Sequence, residues 1–567
     1  MLGCLTLGCS GSGVALDLGL DMARDGAVVD AVGPDHPALD LTPIDAPRPD
    51  LLPTCPAGRW CSTLYPPTWY AGFPADAQGR FLPDFSHAGY HAGAALPVSP
   101  PGQVYDVVSG FGADSSGGSD ASLAIQAAID AAETAGGGLV LIPAGVYRCD
   151  GTLVVQGDNV VLRGAGKGQT LLHFTTSQGM SGKSHITLRG EVQRGADILL
   201  AQDAKTRDVD LFVDDLAGLK VGDEVAIGWV ITADFVAQHG MTGTWTVFLD
   251  QWKPFFRCTV TAVDASTAPR RVTVDVPLRY DALVRDKASL RQETGYLREC
   301  GVEHLSLSNA VKWDDAWGQS QVHVLELTDA KDCWVQDVHS TKSPQATGWS
   351  ALDTTLYHVQ SGGILVLGSR RVTVADSSMH NAQHRGGGGN GYLFEISRSN
   401  EVLLRDCEAT GGRHNLIQNW DFGTTGCVFL RCTSSGSQYA TVVLGVPIFT
   451  PAMCEYHHSL AMANLVDQCV INDGWQALNR LNESSGAGHT STRGVFWNTV
   501  GTGTLISRQY GWGHVIGTGP QITVDTALGG PMSAGTQPQD QVEGADQAAT
   551  LWPPSLYDNQ RKRRLGL

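Results

Sequence analysis

The chain has 567 residues, of which 42% are hydrophobic and only 17% charged; it has 68 glycines and a formal net charge of −18. Low charge and abundant glycine favour strands and tight turns over long surface helices, and an acidic chain without a basic face is not a general nucleic-acid binder. No run reaches the roughly 18 apolar residues of a membrane span.

The start reads MLGCLTLGCSGSG, with Cys4 and Cys9 each after Leu-Gly. That order is similar to the end of a bacterial lipoprotein signal, so the expectation is an exported chain, extracellular or at the cell surface, with Cys9 as a candidate lipid-anchor site. Residues 10–54 repeat Asp, Pro, Ala and Leu without an apolar face and read as an acidic linker completing segment 1–54. Residues 1–50 alone hold eight aspartates against two arginines. Residues 55–103 are rich in aromatics, among them Trp60, Tyr65, Trp69 and Phe85, and read as an irregular extension packed on the main body. Cys55 and Cys61 are close enough to close a small loop in an oxidising compartment. Cys407, Cys427 and Cys432 sit at strand-like positions and read as packing residues. No CxxC pair or Cys/His spacing points to zinc.

The stretch 104–174 is the most informative. Apolar residues Ala121, Ala124, Ile125, Ala128 and Ile129 follow helical spacing, which predicts a helix near 120–134 stopped by the glycines at 136–138. LVLIPAGVYR and GTLVVQGDNVVLRGAG follow as short strands around tight turns. A helix ahead of short strands is what capping the open end of a β-solenoid requires.

The order carried by Tyr105, Asp106, Gly112, Ala113, Asp114, Asp120, Ala124, Ile125, Gln126, Ile129, Asp130, Gly137, Gly138, Pro143, Gly145, Tyr147, Arg163 and Gly164 resembles the opening of the pectate-lyase superfamily. The resemblance implies an all-β fold, a right-handed parallel β-helix over 104–525 with an N-terminal capping helix. It does not fix the reaction, since that superfamily includes lyases, glycoside hydrolases and phage tailspikes. Residues 208–285 break the rhythm and read as a small β insertion. The rhythm resumes at GVEHLSLSN, and Asp337, Asp376, Asp406 and Arg431 are taken as equivalent positions of successive coils. Residues 478–518 read as a last coil and cap, and 526–567, ending in RKRR, as a solvated tail.

Stacked coils make neighbours of residues distant in sequence. The loops after the strands near 335, 373 and 403 carry His339 and Lys342, then His380, His384 and Arg385, then Arg413, His414, Asn415, Asn419 and Trp420. Cleaving a uronate polymer by β-elimination needs a cation on the carboxylate, a base at C5 and an acid for the leaving oxygen. The candidates are Arg413 or Arg385 for the cation, and His384, His414 or His380 for base and acid. His339, Lys342, Asn415, Asn419 and Trp420 are the candidate substrate-binding residues, with Trp475, Trp497 and Trp512 as further stacking faces. A hydrolase would need paired carboxylates from Asp314, Asp315, Asp421 or Glu455. The Asn-Thr-Asp, Asp-Asp and Gly-His-Gly set of polygalacturonase-type β-helices is absent, as is the Arg-x-Pro-x-x-Arg motif of well-known pectate lyases. The expectation is therefore a monomeric, exported enzyme on an acidic polysaccharide, most simply a lyase. A glycoside hydrolase or a carbohydrate-binding or adhesion solenoid is the alternative. No motif demands a cofactor; a calcium ion is the option left open.

Overall fold

The computed structural model describes residues 54–98, 102–266, 268–344, 356–444 and 446–567. The lipoprotein-like start and most of the acidic linker lie outside the described residues. Strands from Leu153 to Asp525 stack into a ten-stranded, wholly parallel sheet. In chain order these are β1 (Leu153–Val155), β2 (Ser184–Arg189), β3 (His323–Thr328), β4 (Gly362–Leu367), β5 (Tyr392–Ser397), β6 (His414–Asn419), β7 (Cys454–Tyr456), β8 (Trp475–Ala477), β9 (Thr504–Ser507) and β10 (Thr523–Asp525). Each coil continues into a 19-stranded back sheet, whose two parallel ladders are joined where Gly301–Asn309 and Trp334–Ser340 run through both. With parallel crossovers right-handed, the architecture is a right-handed parallel β-helix.

The corner between the two back ladders is made by single left-handed residues. Asp337, Asp376, Asp406 and Arg431 have φ of 53, 51, 54 and 51°, and Gln468 and Asn498 continue the column. Each sits one residue past a paired rung, from Gln336–Ala375 to Asp467–Trp497. Short polar side chains tolerate this conformation better than β-branched ones, which explains the aspartates. The interior runs from Tyr105 to Ile522 as one apolar cluster. Cys407, Cys427 and Cys432 lie inside it as free thiols bonded to backbone carbonyls.

Helix α1 (Ser122–Thr134) buries Ile125, Ala128, Ile129 and Ala132 on the first coil. Asp120 receives the Ser122 N–H at 2.9 Å and so fixes the entry into the helix. The insertion is an antiparallel sheet from Gln193 to Thr294 with its own core. Its junction with the coils is ionic: the buried Arg370 reaches Asp275 at 2.6 Å, Glu401 at 3.2 Å and Glu224 at 3.3 Å.

Residues 526–567 are not a solvated tail. Gln541–Glu543 adds a rung to the back sheet. Helix α2 (Leu556–Arg564) packs Leu556 and Tyr557 against the aromatic extension, beside Tyr65, Trp69 and Phe85. Arg563 donates to the carbonyls of Trp69 at 2.5 Å and Pro67 at 3.0 Å, and Arg564 to that of Ser86 at 3.1 Å. The basic run satisfies backbone acceptors that irregular structure would leave unpaired. Cys55 and Cys61 are disulfide-bonded in the extension. No helix among the described residues is long and apolar enough to cross a membrane.

Candidate active site

The outward face of the ten-stranded sheet carries three columns of side chains. Inward positions such as Leu325, Phe394 and Leu416 fill the core, and the residues after them, Glu326, Glu395 and Ile417, alternate outward; before them the alternation breaks, with Val324 and Leu393 also in the core. The first column runs His323, Gly362, Tyr392, His414. The second runs Glu326, Leu365, Glu395, Ile417, Glu455, Gln476. Thr328, Leu367, Ser397 and Asn419 form the third.

At the fifth to seventh strands the columns converge on ionisable groups. His414 is 5% exposed; its Nδ1 donates to the Met453 carbonyl at 2.6 Å, and its Nε2 is 3.1 Å from Glu455 Oε1. Tyr392, its register partner, has its ring 5.3 Å away, and its hydroxyl has no hydrogen-bond partner among the described residues. His457 Nδ1 also lies against Glu455 Oε1, and Arg480 stands 2.9 Å from the same Nδ1 and donates to the His457 carbonyl at 2.8 Å. Burial pushes the His414 imidazole down to about 3 and raises the Tyr392 phenol. Burial alone would raise Glu455, but the imidazoles and Arg480 around it hold the carboxyl well below its usual range. At neutral pH the group therefore has a neutral imidazole, a protonated phenol and an ionised carboxylate.

Arg413 precedes this group on the tight GGRH turn. Its backbone N–H donates to the Gly391 carbonyl at 2.6 Å, and its guanidinium donates to the Gly386 carbonyl at 3.1 Å and lies 5.0 Å over the Tyr439 ring. Among the described residues it has no carboxylate partner, and it is only half-buried. His384 reaches the same loop: a Cβ built on Gly386 would lie 3.0 Å from its Nε2. Its Nδ1 bonds the Gln319 carbonyl at 2.9 Å, its ring packs on Trp317 at 4.3 Å, and burial lowers its pKa. The loop must be glycine-rich here, because a Cβ on Gly391 (φ 77°) would sit 2.9 Å from the Arg413 backbone nitrogen.

The structure thus brings His384, Arg385, Arg413 and His414 to one end of the sheet. Arg385 serves packing there: it is buried, bonds the Ala382 carbonyl and Gln438 at 2.9 Å each, and lies 4.9 Å over Phe449. His339 and His380 do not join them. Both belong to the back sheet, where His339 is held between Asp337 at 2.7 Å and Ser378 at 2.8 Å, and His380 faces His358 at 5.6 Å. Lys342 is exposed just past the same back-sheet strand. The shared place after successive strands conceals that each coil has more than one sheet, so loops of equal rank open on different faces.

Asn415 is not a substrate contact. It points inward, accepts from Gly412 N–H at 2.9 Å, and donates to the Ser435 carbonyl at 2.8 Å and Asp473 at 3.0 Å, fixing the turn that presents Arg413. Trp475 and Trp497 are fully buried and offer no stacking face. Asn419 and Trp420 do line a groove of about 300 Å³, with His323, Glu326, Glu395 and Arg398. Trp420 is 42% exposed and packs at a tilt of 46° against His458, 4.2 Å away. Glu395 receives Asn419 at 2.8 Å and bonds His323 at 3.0 Å. The His323 ring reaches it across Gly362, where a Cβ would come within 2.2 Å of the imidazole.

Sequence reasoning missed Tyr392, His457, Arg480, His323 and Glu395, and had Glu455 only as an unpaired carboxylate. The signal was present: YLFEIS and HNLIQN are successive strands of equal length, and aligning them sets Tyr392 beside His414. Three side-chain donors, from His414, Glu455 and His457, lie within 4.8 Å of one another; His91, Glu299 and Asp332 form a more exposed group of this kind.

Residues 106–239 match the family model described as "Rhamnogalacturonase A/epimerase, pectate lyase-like". Over 72 residues the chain is 53% identical to mannuronan C5-epimerase AlgE6 and 47% identical to alginate lyase 7, both from Azotobacter vinelandii. Each match covers 12% of this chain and 8% of the relative, so the chain spans a small part of the curated relatives it matches. Among solved structures, the tailspike protein gp49 of Pseudomonas phage LKA1 is similar with a TM-score of 0.49 at 14% identity, over 74% of this chain and 63% of that one. The chain is a right-handed parallel β-helix protein, and its opening, residues 106–239, is similar to the pectate-lyase-like family.

Proposed function

We propose that the protein is an exported polysaccharide lyase that cleaves a uronate-containing polymer by β-elimination in the groove over β3–β7. The observation that carries this reading is the Arg413 guanidinium, without a carboxylate of its own, beside a neutral His414 and a protonated Tyr392. Arg413 neutralises the uronate carboxylate and so stabilises the carbanion formed at C5. His414 takes the C5 proton once the substrate draws its Nε2 from Glu455, and Tyr392 delivers a proton to the leaving O4. His384 borders the same loop and is the second imidazole available to the substrate. Asn419 and Trp420 hold neighbouring sugars, Trp420 through its exposed ring face. The polymer comes as an acidic chain to an acidic protein, and Arg413 and Arg398 give it a local cationic landing.

His414 and Tyr392 project from neighbouring strands of one sheet face, so both reach the sugar from the same side. That favours elimination from a uronate whose C5 hydrogen and O4 share a face. A C5-epimerase is the second reading, favoured by the name of the relative AlgE6. It shares the first step but must return the proton from the opposite face, where no donor of this sheet stands. Mannuronan is the first polymer to test, because both matched relatives are named for alginate chemistry.

The test is a panel of polymannuronate, polyguluronate and polygalacturonate followed at 235 nm, with proton NMR in D₂O. Unsaturated ends support the lyase. Deuterium at C5 without cleavage makes it an epimerase, and reducing ends without unsaturation make it a hydrolase. Binding without any turnover makes it a carbohydrate-binding solenoid.

A further inference from the structure

His414 is fixed in one tautomer. Its Nδ1 is 2.6 Å from the Met453 carbonyl, which only accepts, so Nδ1 carries a proton and Nε2 is the nitrogen whose lone pair is left to ligate. That lone pair faces Glu455 Oε1 at 3.1 Å, is buried, and has no hydrogen-bond partner among the described residues. A buried lone pair aimed at a carboxylate is unfavourable unless a cation lies between them. His457 brings Nδ1 to the same carboxylate oxygen, and all three donor atoms lie within 4.8 Å of one another. Gln476 holds the other oxygen of Glu455. Ligating residues are usually fixed in this way, an imidazole by a carbonyl and a carboxylate by an outer donor.

We propose that His414, Glu455 and His457 form a binding site for a transition-metal dication of the zinc class, open toward Tyr392 and Arg413. Two imidazole nitrogens and one carboxylate oxygen match zinc with a free fourth position. They do not suit calcium, which takes six to eight oxygens. Arg480 stands 2.9 Å from His457 Nδ1 and also pairs with the exposed Glu483 at 3.1 Å. On metal entry it keeps Glu483 and yields Nδ1. The bound ion takes the lone pair that C5 abstraction needs, so an occupied site silences His414. That last consequence rests on the lyase reading; the site itself does not.

The test uses the chelator-treated full chain, with Co²⁺ as a visible-absorption probe and Zn²⁺ as competitor in calorimetry. Wild type is expected to take up one equivalent with tetrahedral-type bands that Zn²⁺ bleaches. His457→Ala and Glu455→Gln are expected to lose at least ~100-fold in affinity, and Gln476→Ala about 10–100-fold, as for an outer partner. His91→Ala, in the other donor group, is expected to change nothing. Melting curves check that each variant is folded, and Gln476→Ala stands in if Glu455→Gln is not. No uptake by wild type, or uptake indifferent to His457→Ala and Gln476→Ala, overturns the site. The optical readout needs no substrate, so a protein that binds cobalt at these residues but eliminates no uronate refutes the lyase reading and leaves the site standing.

Discussion

Replacing Arg413 by Ala separates catalysis from stability. In the fold the Arg413 side chain makes one hydrogen bond, to the Gly386 carbonyl at 3.1 Å, and one ring contact, with Tyr439 at 5.0 Å, both half-exposed. Each contributes about 0.5–1 kcal/mol, so the loss in folding is about 1–2 kcal/mol. A chain of this length melts at most about 2–4 °C lower per kcal/mol. In the proposed elimination Arg413 would face a full developing charge, and losing one such donor costs about 2.7–4 kcal/mol, or 10²–10³ in turnover. Lys restores charge but not the two-pronged contact, so Arg413→Lys should recover only part of the rate. The assay is kcat/KM at 235 nm on the best polyuronate, beside thermal melting of the same preparations. A variant that melts like wild type and keeps kcat/KM within about threefold would refute the role. So would one whose lost activity is matched by a collapse in melting temperature.

The acid limb of kcat/KM should fall far below the usual imidazole range, since His414 must be neutral and burial holds it at about 3; a half-maximum near pH 6.5 would mean another group is the base. Stability should also fall steeply between about pH 6.5 and 4. His173, His239, His358, His458 and His489 are buried and pushed down to about 4, so the unfolded chain binds more protons throughout that window; acid melting curves check this. Asp467 behaves oppositely. Burial raises it to about 8, so its stability contribution is present below about pH 4 and is lost as pH rises to 8; Asp467→Asn should melt above wild type at pH 8, being more stable by up to about 6 kcal/mol, and the gain should vanish near pH 4. Gly362→Ala should drive the His323 ring off Glu395 and raise KM more than it lowers kcat; unchanged KM would remove the His323 groove from substrate binding.

The helical spacing before the glycines at 136–138 and the short strands after them made the cap and the solenoid legible. So did the aspartates at 337, 376 and 406, whose equivalence reflects one bend with one backbone conformation. The site was half legible. The residues GGRHN stood out because a turn that dense in polar groups serves more than turning. The partners of His414 were hidden because they come from β5 and β7, and their register is set by loop lengths that no local pattern states. Asn415 looked like its neighbours but is fully buried, bonded to Gly412, Ser435 and Asp473. The role of RKRR was invisible for a different reason: its acceptors are carbonyls of a segment nearly 500 residues earlier.

That embrace between α2 and the aromatic extension has a consequence for biogenesis. Residues 54–98 leave the ribosome early, yet Tyr65, Trp69 and Phe85 share their cluster with coil residues from Leu403 to Ile516 and with Leu551, Leu556 and Tyr557. Coils can stack one on another as they emerge, because each needs only its neighbour. The extension gains cover as the coils from Leu403 onward are made, and that cover is complete only when the last helix has been made. A chain carried unfolded through a secretion channel would therefore be most vulnerable to aggregation and proteolysis late, and the closing of this clasp would mark the moment at which it becomes resistant.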